Sequence, residues 1–256
     1  MKILATADLH LGYARSQSIK LLEKIIYKEK PDVVAIAGDI YDYRGINPSY
    51  ELHRLNENIP VVYCLGNHEF AHRSPEFVYE HYCFNDRFHN VHCLDIDDFV
   101  DIEGVRFVGN VLWYDGSLSE RMDVSQKLKN IDKTWLDSTI YDFDPVIENK
   151  KCIEKIKKSL NDWSGKSVLI THTVPYWKLN QFSYDTPDGI YNIYSGVKDL
   201  FHNEDINVDV AICGHTHRPV RLLYEKDGKS IQCYNIGNEY FEISGEIKYE
   251  IIEIKN

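Results

Sequence analysis

No apolar run in this chain approaches the roughly 20 residues needed to cross a bilayer. That excludes an integral helical membrane protein as the first reading. No Cys-x-x-Cys pair occurs among the six cysteines, at 64, 83, 93, 152, 213 and 233. A zinc ribbon or a disulfide framework is therefore disfavoured, and reduced core thiols in a cytosolic protein are expected. There is no charged segment followed by an apolar stretch at the start, where a strand is predicted from residue 2, so no secretory leader is expected and the location is read as cytoplasmic. Low-complexity tracts, internal repeats and linkers are also missing, which makes one domain over 1–256 the economical reading. Positive charge is in deficit, with 29 Lys and Arg against 40 Asp and Glu and a net charge of −11. That counts against a nucleic-acid partner, which calls for a basic face.

What is present is a series of short, β-branched apolar runs: ILATA, DVVAIAG, PVVYCLG, SVLI and DVAIC. Such runs read as buried strands, apolar on both faces, over 2–7, 33–38, 60–65, 166–171 and 208–213. Helices are predicted over 16–30, where Ile19, Leu22 and Ile26 share a face before Pro31, and over 49–58, 75–84 and 146–163. The stretch 91–113 reads as a strand followed by a hairpin. Residues 219–254 read as an antiparallel meander turning at Asp227-Gly228. The segment 114–165 departs from this regularity: its first half is polar and aperiodic, its second half helical, so it reads as an insertion. The lysines around that helix, 151, 155, 157 and 158, are read as a solvated face.

Each apolar run ends in an acid, an amide or a histidine. The blocks are Asp8-Leu9-His10, Gly38-Asp39-Ile40-Tyr41-Asp42, Gly66-Asn67-His68-Glu69, Thr171-His172 and Gly214-His215-Thr216-His217. Open α/β sheets bind ligands at the carboxyl ends of their strands. Asp8 and His10, two apart, would point the same way from an extended strand end, as would His215 and His217. Asp39 is suited to bridge two cations, and Asn67 offers an amide oxygen. Three oxygen and four nitrogen donors are too many for one catalytic ion and fit two that keep open positions. The mixture of carboxylate and imidazole suits Mn, Fe, Zn, Co or Ni, and Mn is placed first. Two such cations would put four positive charges in the pocket, so a small anionic substrate is compatible with the acidic chain.

The order D-x-H, G-D-x-x-D, G-N-H-E, a lone His and G-H-x-H resembles the calcineurin-like metallophosphoesterase superfamily, and the match spans residues 8–217. The resemblance implies an α/β fold, a four-layer α/β/β/α sandwich of two mixed β-sheets flanked by helices. It implies that Asp8, His10, Asp39 and His217 hold one metal and that Asp39, Asn67, His172 and His215 hold the other. His68 would face the substrate as a proton donor to the leaving group, and Asp42 would orient His68 or a ligand. The implied reaction is in-line attack on a phosphate ester by a hydroxide bridging the two ions, with no phospho-enzyme.

Three departures bear on the substrate. The phosphoprotein phosphatases of this superfamily carry arginines where this chain has Tyr43 and Ala71, with Arg44 and Arg73 displaced along the chain. The opening Asp8-Leu9-His10-Leu11-Gly12 resembles that of DNA-repair nucleases, which are longer and capped. The block Gly214 to Pro219 resembles that of hydrolases cleaving UDP-diacylglucosamine, which have an arginine in place of His68. The segment 173–194 holds Tyr176, Trp177, Phe182, Tyr184, Tyr191 and Tyr194 and is a candidate substrate wall. A small phosphodiester or nucleotide is therefore expected ahead of a phosphoprotein or other phosphomonoester. A nuclease, or a non-catalytic scaffold of the same fold, ranks lower.

Overall fold

The computed structural model describes residues 1–11, 18–41, 48–82, 88–180, 190–226, 228–238 and 246–255. The apolar runs form strands because they alternate between two buried surfaces. In β1 (Lys2–Thr6), Ile3 and Ala5 face one apolar cluster and Leu4 another. In β2 (Val33–Ala37), Val33, Ala35 and Ala37 face the first cluster and Val34 and Ile36 the second. β3 (Val61–Cys64) continues the pattern with Val62 and Cys64 against Val61 and Tyr63. With both faces covered, each large aliphatic side chain of β2 and β3 contributes about 1.5–3 kcal/mol by leaving water, and the one hydroxyl, of Tyr63, is bonded to Ser49 Oγ at 3.0 Å.

These strands join β4 (Val91–Cys93) and the C-terminal β11 (Glu250–Glu253) in a five-stranded sheet of order β11-β1-β2-β3-β4, in which only β11 is antiparallel. A second sheet of six strands runs β5-β6-β7-β8-β10-β9. Its members are β5 (Val100–Ile102), β6 (Val105–Asn110), β7 (Lys166–Thr171), β8 (Val210–Cys213), β9 (Val220–Lys226) and β10 (Lys229–Asn235). Strands β6, β7, β8 and β10 are parallel, while β5 and β9 close the edges antiparallel. Phe107, Val168, Ile170, Val210 and Ile212 of this sheet share one cluster with Ile3, Ala35 and Val62 of the other, so the sheets pack face to face.

Helices cover the outer faces, completing the four-layer sandwich. Leu22 and Ile26 of α1 (Ser18–Glu29) and Leu52 of α2 (Ser49–Leu55) belong to the outer cluster with Leu4, Val34 and Ile36. The short α3 (Asn67–Phe70) and α4 (Pro75–Tyr82) follow β3, and α5 (Val124–Lys129) lies within the aperiodic stretch. On the second sheet, α6 (Pro145–Leu160) buries Cys152, Ile156 and Leu160. Asp144 caps it, accepting from the amides of Val146 and Ile147 at 3.0 and 3.2 Å, and Pro145 occupies its first turn.

Two expectations need correction. The C-terminal stretch is not one meander: β9 and β10 form the hairpin, but β11 leaves for the other sheet and pairs with β1, Ile3 opposite Ile252. Local pattern could not distinguish these, since an antiparallel edge strand looks alike beside either sheet. The lysines of α6 are not all solvated. Lys155 Nζ turns inward and donates to the carbonyls of Leu94 and Asp95 at 2.6 and 2.7 Å. The described cysteines, 64, 93, 152, 213 and 233, are buried and free. No helix among the described residues is long and apolar enough to cross a membrane.

Candidate metal centre

The carboxyl ends of β1, β2 and β3 from one sheet and of β7 and β8 from the other meet along one edge of the sandwich. They bring Asp8, His10, Asp39, Asn67, His68, His172, His215 and His217 together there. Asp42 lies outside the described residues. The backbone achieves this convergence differently from the expected pleat. Asp8, His10, Asp39, His215 and His217 all have left-handed φ values, 52°, 43°, 50°, 69° and 52°. An extended strand end would carry the chain past the site. A left-handed residue turns it sharply, and Asp and His tolerate that region better than most side chains. The turned segments then pair with each other: His10 N donates to Asp39 O at 3.0 Å and Leu11 N to Ile40 O at 2.8 Å. Glycine permits the closest approach. A Cβ on Gly66 would collide with Asp39 Oδ1, and one on Gly214 would stand 2.6 Å from Asp8 Oδ2.

Hydrogen bonds assign the side-chain atoms that face inward. His172 Nδ1 donates to the Ala37 carbonyl at 2.9 Å and His215 Nε2 to the Tyr194 carbonyl at 2.9 Å. Neutral rings so fixed present lone pairs on His172 Nε2 and His215 Nδ1, which lie 3.2 Å apart. Asn67 donates its Nδ2 to Asp137 at 2.7 Å, which turns Oδ1 toward His172 Nε2 at 3.0 Å. Asp39 Oδ2 approaches the same nitrogen at 3.3 Å. Four lone-pair atoms thus converge. A proton on His172 could satisfy one or two of them, whereas a divalent cation would satisfy all four. The residues fit a metal on that ground.

A second group lies alongside. Asp8, His10 and His217 each offer a ligand atom within 4.8 Å of the others. His217 Nδ1 is bonded to the Asn238 carbonyl, which leaves Nε2 facing Asp8 Oδ1 at 3.9 Å. The His10 and His217 rings stack at 5.2 Å. Asp39 Oδ2 is 3.9 Å from His10 Nε2 and 3.3 Å from His172 Nε2, so one carboxylate oxygen stands between the groups. His68 Nε2 lies 3.7 Å from that oxygen, its ring edge-on to His10 at 4.6 Å.

The charges follow. Burial opposes ionisation of both Asp39 and His172, and their mutual attraction outweighs it. Asp39 is held well below the usual carboxylate range, and His172 is pushed up to about 10. Burial and the neighbouring His172 charge drive His215 down to about 3. The pocket therefore favours one localised positive charge between these rings.

Several residues that hold the centre were given no role by the sequence, although one of them, Glu69, closes the third block. Glu69 accepts the amides of Ile40, Tyr41 and Gly66 at 2.8, 2.8 and 2.7 Å and so clamps the loops after β2 and β3; burial and Asp39 push its carboxyl up to about 8. Asp95 joins the two sheets by accepting from Leu65 N at 2.6 Å and Val111 N at 2.9 Å. Asn238 ties β10 to β1, donating to the Ala7 carbonyl at 2.6 Å. The run Asn235-Ile236-Gly237-Asn238 is a sixth polar block at a strand's carboxyl end, and the same rule would have found it. Asp137, within the aperiodic segment, has no such signal.

The expected aromatic wall divides. Tyr176 packs on Phe201 and Tyr224 at 6.4 and 5.0 Å, as part of the fold. Phe182 and Tyr184 lie outside the described residues. Tyr194 and Tyr191 do approach the centre, against Trp135 at 5.2 and 5.8 Å, and Trp135 stands edge-on to His215 at 6.3 Å. Of the displaced arginines, Arg44 is outside the described residues. Arg73 donates to the Ala71 carbonyl at 3.3 Å.

A two-sheet sandwich with Asp and His donors gathered at its strand ends defines a class of metal-dependent phosphoric ester hydrolases. The chain belongs to the calcineurin-like phosphoesterase family, whose model matches residues 1–219. Among solved structures it is similar to phosphopantetheinyl hydrolase (PptH) from Mycobacterium tuberculosis, with a TM-score of 0.65 and 17% identity over 93% of this chain and 89% of that one. It also resembles GAP50, the anchor in the inner membrane complex of Plasmodium, at a TM-score of 0.46 and 12% identity, over 93% and 71% of the two chains. The sulfate thiohydrolase SoxB of Thermus thermophilus follows at 0.45 and 11%, over 98% and 55%.

Proposed function

We propose that this chain is a dinuclear metal phosphoesterase acting on a small phosphodiester or nucleotide. The observation that carries the reading is the position of Asp39 Oδ2, shared between two groups of inward-facing lone pairs. Asp8, His10, Asp39 and His217 would hold one ion, and Asp39, Asn67, His172 and His215 the other. When bound, the ions supply an activated water near neutral pH and positive charge opposite the phosphate oxygens. The chain's own residues do the rest. The carbonyls of Ala37, Tyr194 and Asn238 fix the imidazole tautomers. His68, with its side chain 11% exposed at the mouth of the centre, would give a proton to the leaving oxygen. The exposed Tyr191 ring, packed on Trp135 beside His215, would offer an apolar face on which a base can stack.

The engaged Arg73 and the net charge of −11 disfavour a phosphoprotein substrate. The test is a metal-supplemented panel of p-nitrophenyl phosphate, bis-p-nitrophenyl phosphate, nucleotides, a phosphopantetheinyl diester and phosphoproteins. The phosphopantetheinyl diester is included because of the fold shared with the hydrolase of that name. Tyr191→Ala should raise KM about tenfold for a nucleotide substrate, in keeping with the ~1–3 kcal/mol of one stacked base, and leave a minimal ester nearly unchanged. Efficient turnover of phosphoserine proteins with none of any diester or nucleotide would overturn the substrate assignment.

A further inference from the structure

Asp137 sits in a 3₁₀ turn (Leu136–Thr139) of the aperiodic segment, 1% exposed. Three donors reach it. Asn67 Nδ2 bonds to Oδ1 at 2.7 Å, while the Tyr114 hydroxyl and Trp135 Nε1 bond to Oδ2 at 2.8 and 2.9 Å. An amide side chain has two ends of nearly equal size, one donating and one accepting, and its orientation is set by its partners. A carboxylate only accepts. With Oδ2 occupied by Tyr114 and Trp135, Oδ1 faces Asn67 and admits only its NH₂ end. The oxygen of Asn67 is thereby turned to His172 Nε2 at 3.0 Å, where the lone pairs of His172, His215 and Asp39 also meet.

We infer that Asp137 is a positioning residue that selects the orientation of the Asn67 amide and so sets the cation affinity of the Asp39, Asn67, His172 and His215 group. The inference rests on the proposed metal centre and extends it to a segment that contributes no ligand. It predicts an unusual phenotype for Asp137→Asn, which is isosteric and leaves no cavity. The new amide can donate to Asn67 Oδ1, which turns Asn67 over and points its N–H groups at the cation position.

The test is a Co²⁺ titration of chelator-stripped protein, followed by visible absorption and by calorimetry. The wild type should show two binding events. Asp137→Asn should weaken one of them about 10–100-fold, the range for a residue behind a metal ligand, and leave the other within twofold. The weakened event should be the one that Asn67→Ala also weakens, and the double variant should bind as Asn67→Ala does, because the two residues act as a unit. Tyr114→Phe, which leaves Oδ1 untouched, should lower the melting temperature and keep both events. A second measurement needs no Asp137 variant. In wild-type protein the side-chain NH₂ resonances of Asn67, assigned by their loss in Asn67→Ala, should contain one proton protected from solvent exchange, with or without Zn²⁺. Unchanged Co²⁺ binding in Asp137→Asn, or two fast-exchanging Asn67 protons, would overturn the role of Asp137 while leaving the metal centre standing. Failure of the wild type to bind Co²⁺ would overturn the metal centre, and this inference with it.

Discussion

The two donor groups differ in how they are enclosed. The group of Asn67, His172 and His215 is backed on its outer side by Tyr194, Trp135 and Asp137. Its members are 4%, 0% and 6% exposed. The group of Asp8, His10 and His217 is built from strand ends alone; Asp8 and His10 are 0% and 1% exposed, and it opens at His217 and the adjacent His68, whose side chains are 13% and 11% exposed. A closed group can hold an ion with fixed geometry. An open one leaves a face for an anion to enter. The difference teaches that the two halves draw on separate parts of the chain, with Asp39 Oδ2 standing between them at 3.9 Å from His10 Nε2 and 3.3 Å from His172 Nε2.

Breaking the shared member should give the largest effect. Asp39→Asn removes the charge that both groups use. Metal content should fall well below two ions per chain, and kcat/KM should drop by about 10⁴, the several kcal/mol of charge stabilisation supplied by bound metal. Mass-spectrometric metal analysis with steady-state kinetics checks this, and a variant that keeps both ions would show that Asp39 is not shared.

Less is lost on the open side. His68→Ala should leave metal content intact and lower kcat by about 10²–10⁴ on substrates with poor leaving groups. The loss should shrink for p-nitrophenolate, which departs without a proton. Release of an ion on this substitution would move His68 into the ligand set, where its 3.7 Å separation from Asp39 also permits it.

The smallest expected effect is on stability, and it belongs to the closed group. In metal-free protein His172 is raised to about 10, so its contribution is fully present below pH 6.5 and is lost as pH rises toward 10. His215 is lowered to about 3, so its contribution is present above pH 6.5 and is lost as pH falls toward 3. The unfolding temperature of chelated protein should therefore peak near pH 6.5, and the loss toward pH 9 should shrink in metal-loaded protein, where a cation replaces the proton. Melting curves equally high at pH 6.5 and pH 9 without metal would contradict the lone-pair arrangement assigned to this group.

The open group was the more legible of the two. Asp8, His10 and His217 follow runs whose both-face apolarity identifies them as buried strands, and strand ends are where such sheets bind ligands. Even there the reason for convergence was misread. The side chains meet through left-handed backbone, not through the alternation of a pleat, because the ends of β1 and β8 turn before they pair. In the closed group the ligands were legible but their support was not. Trp135 and Asp137 lie in a stretch with no period, and nothing local separates Asp137 from the other acids around it.

The sequence by itself determined the strands, the order of the five blocks and the chemistry of their donors, because burial on both faces and strand-end placement leave a local imprint on residue choice. Three things were decided only by the tertiary structure. One is that β11 crosses to the first sheet. Another is that Tyr176 packs on Phe201 and Tyr224 while Tyr191 and Tyr194 pack on Trp135, beside His215. The third is that Asp137 meets Asn67 from 70 positions away in the chain. Each is a contact between segments with no shared period or motif. Its energy comes from geometry that exists only after both sheets have packed.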